Sequence, residues 1–225
     1  MKPLIYLLML IGLILQCLFI YVENKENYPV ASVLKGSASL MFVLVGYNAY
    51  LLVNNPFNKT ILLGLIFGML GDILLSLRFV FTKQGQKIFL LGILVFLIGH
   101  IFYLAVLIKQ AQHIWIYHCT LIGLLLAAGL LFYIFKTMDI KKAFKIFGVV
   151  YLSVIFVMCS IAIGVAMFIP SNRSIVFALG AVLFTASDII LIFNTFSGSN
   201  KLSLRIANLL LYYVGQLLIA YSMFL

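Results

Sequence analysis

The chain has 225 residues, of which 65% are hydrophobic and 9% are charged, and its mean hydropathy is +1.24. A soluble domain carries about 25% charged residues, so this composition excludes an ordinary soluble protein and predicts a single integral membrane domain over residues 1–225. The formal net charge of +10 does not indicate a nucleic-acid partner, because the basic residues lie singly or in small groups between apolar runs.

Eight apolar runs predict eight transmembrane helices in an all-α bundle. Each run is near the ~20 residues that a helix needs to cross the hydrocarbon core of a bilayer. The first run is longer than the apolar region of a signal peptide and lacks a small-residue cleavage site, so we expect an uncleaved helix. In chain order, the predicted spans are 3–22, 36–53, 60–79, 88–108, 114–135, 144–168, 174–196 and 202–225.

Lysine and arginine are unevenly distributed around these spans. The loops after spans 1, 3, 5 and 7 hold eleven: Lys25, Lys35, Arg78, Lys83, Lys87, Lys136, Lys141, Lys142, Lys145, Lys201 and Arg205. The N-terminus and the other loops hold four, which are Lys2, Lys59, Lys109 and Arg173. The positive-inside rule therefore predicts that the first group faces the cytoplasm and that both termini are non-cytoplasmic. If the source is bacterial, the expected location is the plasma or inner membrane.

Asp72 and Asp188 are the only two acidic residues within the predicted spans. They open similar local sequences, Asp-Ile-Leu-Leu and Asp-Ile-Ile-Leu, and a Gly-polar pair follows each of them 28 residues later. An ionised carboxylate in hydrocarbon costs several kcal/mol, so an acidic residue within a span usually marks a functional site. The alternative is a structural carboxyl that is hydrogen-bonded to a neighbouring helix.

The spacing of these residues predicts an internal repeat. Asp72 and Asp188 are 116 residues apart, as are His100 and Gln216, the polar members of the two Gly-polar pairs. The chain then divides into two four-helix halves, approximately 1–112 and 113–225, that cross the membrane in the same direction and form a parallel repeat. The pseudo-two-fold axis of such a repeat would bring the two carboxyl groups together at one depth.

Two carboxyl groups that share a site of low dielectric repel each other, which leaves one protonated and one ionised. Such a pair supplies the acid and the base that a hydrolase needs. His100 and Tyr103 lie three residues apart, on roughly one helix face, although a lone histidine there is as readily a packing residue. Lys35 alone is typical of an anchor that extends to the interface, yet its depth also suits contact with a carboxylate or a lipid phosphate.

Neither a metal site nor a disulfide is predicted. Cys17, Cys119 and Cys159 lie within apolar runs without a Cys-x-x-Cys spacing, and thiols in such runs behave as small hydrophobic groups. His113 and His118 are five residues apart, which is not a zinc-ligand spacing on a helix. The sequence therefore predicts no metal and no other cofactor.

Short motifs at these positions resemble the lysoplasmalogenase family, the YhhN-like polytopic membrane proteins. Their order, their spacing and the eight-span layout all match, over nearly the whole chain. Gly36 follows Lys35 here, whereas the family commonly has proline at that position. The matching segments are Lys35 at the head of span 2, Gly71–Leu75, Ile98–Tyr103, Ser187–Leu191 and Tyr213–Gln216.

The resemblance implies hydrolysis of the vinyl-ether bond of lysoplasmalogens, which releases a fatty aldehyde and glycerophosphoethanolamine or glycerophosphocholine. The substrate is then a lysophospholipid within the membrane, and Asp72 and Asp188 are the expected acid/base pair. The expected substrate-binding residues, among which Lys35 would lie near the phosphate, are Lys35, Asn48, His100, Tyr103, Tyr212, Tyr213 and Gln216.

Two other classes of function fit part of the pattern. Parallel repeats and carboxylates at mid-membrane depth also suit a small proton-coupled transporter. Polar groups within spans, such as Asn48, Tyr212 and Gln216, are commonly interhelical hydrogen-bond partners, and a scaffold would use the aspartates in the same way.

Overall fold

The computed structural model describes residues 2–111, 115–138, 140, 142–196 and 201–225. These residues form eight α-helices, and a 3₁₀ turn at Thr82–Gln84 precedes the fourth. All eight helices are long and apolar enough to cross a membrane, so the chain is a multi-pass membrane protein with an all-α fold. The helices are α1 Lys2–Asn24, α2 Tyr28–Leu52, α3 Asn58–Val80, α4 Gly85–Gln110, α5 Trp115–Thr137, α6 Lys142–Phe168, α7 Asn172–Phe196 and α8 Leu202–Ser222.

The predicted start of the second span is wrong. Helix α2 begins at Tyr28 rather than at residue 36, with Pro29 in its first turn, where a proline lacks only an N–H that would have no helical partner. Lys35 and Gly36 therefore lie about two turns inside the helix instead of at its head. Removing Lys35 from the eleven basic residues of the predicted cytoplasmic side leaves ten against four, so the predicted orientation is unchanged.

Helices that follow each other in the chain pack together within each predicted half. Helix α1 packs on α2, α2 on α3 and α3 on α4, and the same order holds for α5, α6, α7 and α8. Contacts of α4 with α6 and of α2 with α8 join the two groups. An exchange of the two predicted halves relates the α4–α6 pair to the α8–α2 pair. Helix α8 also contacts α1 and α3, and these contacts have no counterpart of similar extent at α4 among the described residues.

Glycines allow close contact at two equivalent places. A Cβ atom added to Gly99 on α4 would lie 3.0 Å from the carbonyl oxygen of Gly64 on α3. A Cβ atom added to Gly215 on α8 would lie 2.9 Å from the carbonyl oxygen of Gly180 on α7. Since both pairs are related by the 116-residue offset, they support the repeat, which itself stays a prediction.

The bundle is apolar outside and partly polar inside. Large apolar side chains such as Val33, Leu125 and Phe132 are exposed on its surface, as expected where a helix faces lipid. Polar and charged side chains of α2, α3, α7 and α8, by contrast, are buried between helices. This arrangement places the residues that could do chemistry in the interior of the bundle.

Candidate active site

Asp72 lies on α3 and is 3% exposed. Its Oδ1 is 3.2 Å from the ammonium nitrogen of Lys35, and its Oδ2 accepts hydrogen bonds from the hydroxyl groups of Ser39 and Tyr212, the latter at 2.6 Å. Lys35 and Ser39 are four residues apart on α2, so both project from one helix face towards α3. The carboxyl group of Asp72 is therefore held by one cation and two hydroxyl groups from two helices.

Lys35 is buried, with 4% of its surface exposed. Its ammonium group lies 4.6 Å from the ring centroid of Tyr212 and 5.2 Å from that of Phe19, and it is 3.5 Å from Oε1 of Gln16. Aromatic faces and a carboxylate together stabilise a buried ammonium group. Lys35 is thus a partner of Asp72 in the interior, and the alternative of an anchor that extends to the interface is wrong.

Asp188 lies on α7, is 5% exposed, and has different surroundings. Its Oδ2 accepts a hydrogen bond of 2.8 Å from the hydroxyl group of Tyr151 on α6. Among the residues that the structure describes, Asp188 forms no salt bridge and no other side-chain hydrogen bond. Its backbone neighbour Ser187 is fixed by Asn208, whose amide donates to the Ser187 carbonyl oxygen at 2.8 Å.

Both carboxyl groups line one cavity, which we call the inner cavity and which has about 1030 Å³ of empty space including its open end. Lys35, Tyr151 and Tyr212 also line it, so each carboxyl group reaches the cavity together with its partners. The remaining wall is largely apolar: it is formed by Leu75, Ile93, Phe96, Gly148, Leu152, Phe184, Leu191, Ile192 and Leu209, among others. A cavity of this kind accepts a mainly apolar ligand and presents two carboxyl groups to it.

The inner cavity adjoins a second cavity, which we call the vestibule and which has about 1680 Å³ of empty space including open solvent; the two share several lining residues. Among the shared residues, Glu23 is at the end of α1, Arg78 at the end of α3 and Arg205 at the start of α8. The guanidinium group of Arg205 makes two hydrogen bonds to the carboxylate of Glu23, at 2.7 and 3.0 Å. All three residues lie at the membrane side that the lysine and arginine count predicts to be cytoplasmic.

His100, Tyr103 and Gln216 form a separate group that lines neither the inner cavity nor the vestibule. Tyr103 donates a hydrogen bond of 3.0 Å to Oε1 of Gln216, and Nδ1 of His100 is 2.7 Å from the carbonyl oxygen of Phe96. The His100 ring packs against that of Phe184, at 4.4 Å between centroids, and Phe184 in turn lines the inner cavity. These three predicted substrate-binding residues therefore lie behind the cavity wall.

Two further predicted substrate-binding residues also make contacts away from the cavity. Tyr213 donates to the carbonyl oxygen of Ala38 at 2.6 Å, and Asn48 donates to the carbonyl oxygen of Leu44 at 2.8 Å. Neither side chain lines the inner cavity. Of the seven residues predicted to bind substrate, the structure therefore brings Lys35 and Tyr212 together with the two aspartates.

Tyr151, Ser39 and Arg78 were not among the site residues predicted from the sequence. For Tyr151 a signal existed, because the 116-residue offset that relates Asp72 to Asp188 also relates Lys35 to Tyr151. Ser39 could have been found from its position one turn after Lys35 on the same helix face. Arg78 and Arg205 are brought to the vestibule by the ends of two different helices, which no local pattern indicates.

His113 lies outside the described residues, and His118 is exposed on α5. Within the described part of the chain, no three histidine, cysteine, aspartate or glutamate side chains gather in a group that could hold a metal ion.

Comparison with known proteins agrees with the motifs. No curated protein and no solved structure matches the chain. The model of the YhhN family matches residues 30–223, a range that contains α3 to α8, all of α2 but its first two residues, and all the residues of the inner cavity except those on α1. Because this match covers most of its length, the chain belongs to the YhhN family.

Proposed function

We propose that this protein is a membrane hydrolase that cleaves the vinyl-ether bond of lysoplasmalogens. The observation that carries the proposal is that two buried carboxyl groups with unlike partners line one largely apolar cavity. Membership of the YhhN family, which is associated with hydrolase activity, and the resemblance to lysoplasmalogenases support the same reaction.

Asp188 is the proton donor in this proposal, and Asp72 is the ionised carboxylate. A buried carboxyl group without a cation nearby is more stable when it carries its proton, and the described residues offer Asp188 only the hydroxyl group of Tyr151. A buried carboxylate is stable beside an ammonium group, and Lys35 supplies one to Asp72 at 3.2 Å. The two carboxyl groups therefore have the different charge states that acid/base catalysis requires.

The reaction needs one acid and one water molecule. Asp188 transfers its proton to the β-carbon of the vinyl ether, and the π electrons form the new C–H bond, leaving an oxocarbenium ion that the negative charge of Asp72 stabilises. Water then attacks the α-carbon and gives up a proton to the carboxylate of Asp188, which restores the acid. The resulting hemiacetal breaks its bond to the glycerol oxygen, which takes up the hydroxyl proton. The products are a fatty aldehyde and a glycerophospho-base, and no electrons are exchanged with another molecule.

A purified-protein assay with a lysoplasmenylethanolamine substrate tests the proposal by measuring aldehyde release. We expect turnover by the wild type, a fall in kcat of about 10²- to 10⁴-fold in Asp188→Asn, the usual contribution of an acid or base, and a fall of about 10²- to 10³-fold in Asp72→Asn, which removes the negative charge that stabilises the oxocarbenium ion. Ser222→Ala serves as the control, because Ser222 is buried on α8 and bonded to the Ile219 carbonyl oxygen but lines neither the inner cavity nor the vestibule.

Unchanged aldehyde release in both asparagine variants would contradict the assignment. Loss of folded protein in both variants, measured by gel filtration and thermal unfolding, would instead indicate that the aspartates hold the helices together. If the wild type releases no aldehyde but catalyses proton-coupled uptake of a solute into liposomes, the protein is a transporter rather than a hydrolase.

A further inference from the structure

Arg78 is the one basic residue lining the inner cavity that has no acidic partner among the described residues. It lies in the last turn of α3 and lines both the inner cavity and the vestibule, so it stands where the two meet. Its guanidinium carbon lies 4.2 Å from the ring centroid of Phe89 and 4.5 Å from that of Phe79. Its Nε is buried and has no hydrogen-bond partner within the described part of the chain.

The other charged groups of the cavity are already paired. Lys35 neutralises Asp72, and Glu23 neutralises Arg205 through two hydrogen bonds. In the proposed mechanism Asp188 carries a proton, so the positive charge of Arg78 remains uncompensated at the entrance. A buried donor without an acceptor is unfavourable, and more so when it is charged, so an anionic ligand at this place would be stabilised. A planar guanidinium group with free N–H donors suits phosphate oxygens in particular.

The distance from Arg78 to the aspartates matches the length of a lysophospholipid. Arg78 follows Asp72 by six residues on α3, which separates them by ~9 Å along the helix axis. Seven covalent bonds connect the phosphorus atom to the β-carbon of the vinyl ether, and at ~1.2 Å per bond in an extended chain they span ~8 Å. A phosphate group beside Arg78 therefore allows the double bond to reach the depth of the two carboxyl groups.

We propose that Arg78 binds the phosphate of the substrate at the junction of the vestibule and the inner cavity. This inference rests on the proposed function, and it transfers to Arg78 the phosphate contact that the sequence predicted for Lys35. Lys35 is instead occupied by Asp72, deeper in the bundle. The head group then extends into the vestibule, on the side that the positive-inside rule predicts to be cytoplasmic.

Two substrates separate phosphate recognition from catalysis. One is a lysoplasmenylethanolamine, and the other is the matching 1-alkenylglycerol, which has the vinyl ether but no phosphate. In Arg78→Gln we expect KM for the phospholipid to rise by roughly tenfold to hundredfold, the effect of losing a hydrogen bond to a charged group, with kcat little changed. The kinetics of the alkenylglycerol should not change. Lys83→Gln is the matched control, because it removes one charge at the same end of the bundle from an exposed residue that lines neither the inner cavity nor the vestibule.

Equal losses on the two substrates, or no loss on either, would overturn the inference and leave the proposed hydrolase intact. If Arg78→Gln does not fold, Arg78→Lys carries the same comparison. Arg78→Lys keeps the charge but loses the planar donor pair, so KM should rise for the phospholipid and not for the alkenylglycerol, by less than about tenfold.

A binding measurement needs no turnover and keeps the two proposals distinguishable. Purified wild type in detergent should bind a lysophosphatidylethanolamine, whose ester is not a vinyl ether, more tightly than the matching monoacylglycerol. Arg78→Gln should lose this preference, and Lys83→Gln should keep it. If the preference depends on Arg78 but no aldehyde is released from either substrate, the phosphate site stands and the proposed reaction falls. If the wild type shows no preference, the phosphate site falls, whatever the turnover.

Discussion

Asp72 and Asp188 occupy equivalent positions of the predicted repeat, yet the residues around them differ at every position that the 116-residue offset relates. Asp72 is held by Lys35, Ser39 and Tyr212. The 116-residue offset relates those three residues to Tyr151, Ile155 and Phe96, respectively. Of these, only Tyr151 has a polar side chain, and it donates the one side-chain hydrogen bond that Asp188 receives among the described residues.

This comparison shows how a pair of similar helices can produce two different carboxyl groups. The aspartates and the packing glycines are alike in the two predicted halves, and both carboxyl groups line the same cavity. An ammonium group and two hydroxyl groups stabilise an ionised carboxylate, whereas a single hydroxyl group in apolar surroundings favours a neutral one. The difference lies in the partners, and variants of Lys35, Tyr151 and Tyr212 each alter one of them.

Removal of the cation should have the largest effect. Lys35→Met leaves a buried carboxylate without its ion-pair partner, and we expect a loss of about 3–5 kcal/mol in the free energy of unfolding. Lys59→Met is the control, since Lys59 is exposed near the start of α3 and forms no salt bridge among the described residues. The measurement is unfolding of the purified protein in mixed detergent micelles.

A double-mutant cycle sharpens this result. If Lys35 and Asp72 stabilise the fold as a pair, Lys35→Met combined with Asp72→Asn should recover much of the stability that Lys35→Met loses alone. If Lys35→Met lowers the free energy of unfolding no more than Lys59→Met does, the result would contradict the ionised state of Asp72. The contrast between the two aspartates would then have no electrostatic basis.

The second variant pair compares the hydroxyl groups. Tyr151→Phe leaves Asp188 without a side-chain hydrogen bond among the described residues, whereas Tyr212→Phe leaves Asp72 with Ser39 and Lys35. We expect kcat for aldehyde release to fall about tenfold in Tyr151→Phe, which is the loss of one hydrogen bond to a proton donor, and only about threefold in Tyr212→Phe.

Separate values of kcat and KM distinguish two effects of these variants. Poorer positioning of the acid lowers mainly kcat, whereas a change in cavity shape alters mainly KM. Thermal unfolding provides the control for folding. A larger loss of kcat in Tyr212→Phe than in Tyr151→Phe would reverse the assignment of the proton donor to Asp188.

Much of the fold followed from the sequence, because membrane spans have a strong local signal. Seven of the eight predicted spans differ from the observed helices by only a few residues at each end. The exception is α2, whose first two turns carry Tyr28, Ser32 and Lys35 and so lack the apolar run on which the prediction depended. In the structure that segment is helical because its polar residues have partners on α3, such as Ser76, whose hydroxyl oxygen lies 2.9 Å from that of Ser32.

The candidate site was predicted less completely, because partners of a buried charge come from distant parts of the chain. The sequence identified Asp72 and Asp188 as costly groups but could not determine whether Lys35 extends to the interface or turns inward. That choice depends on the position of α3 relative to α2, which is a tertiary property. His100 was singled out for its residue type, but its ring packs on that of Phe184 from α7 and does not line the inner cavity.

The smallest expected effect concerns His100 and Gln216, the different polar residues that follow the two aspartates by 28 residues. His100→Gln makes the two halves alike at this position. We expect kcat to change by less than about threefold, because the His100 ring lies behind Phe184 and touches neither carboxyl group. Stability should fall by about 1 kcal/mol, since the variant loses the aromatic contact with Phe184. Aldehyde release and thermal unfolding of the same preparation measure both quantities. A loss of kcat in His100→Gln as large as that in Tyr151→Phe would contradict this expectation. The different charge states of the two carboxyl groups would then depend on α4 rather than on α2 and α6.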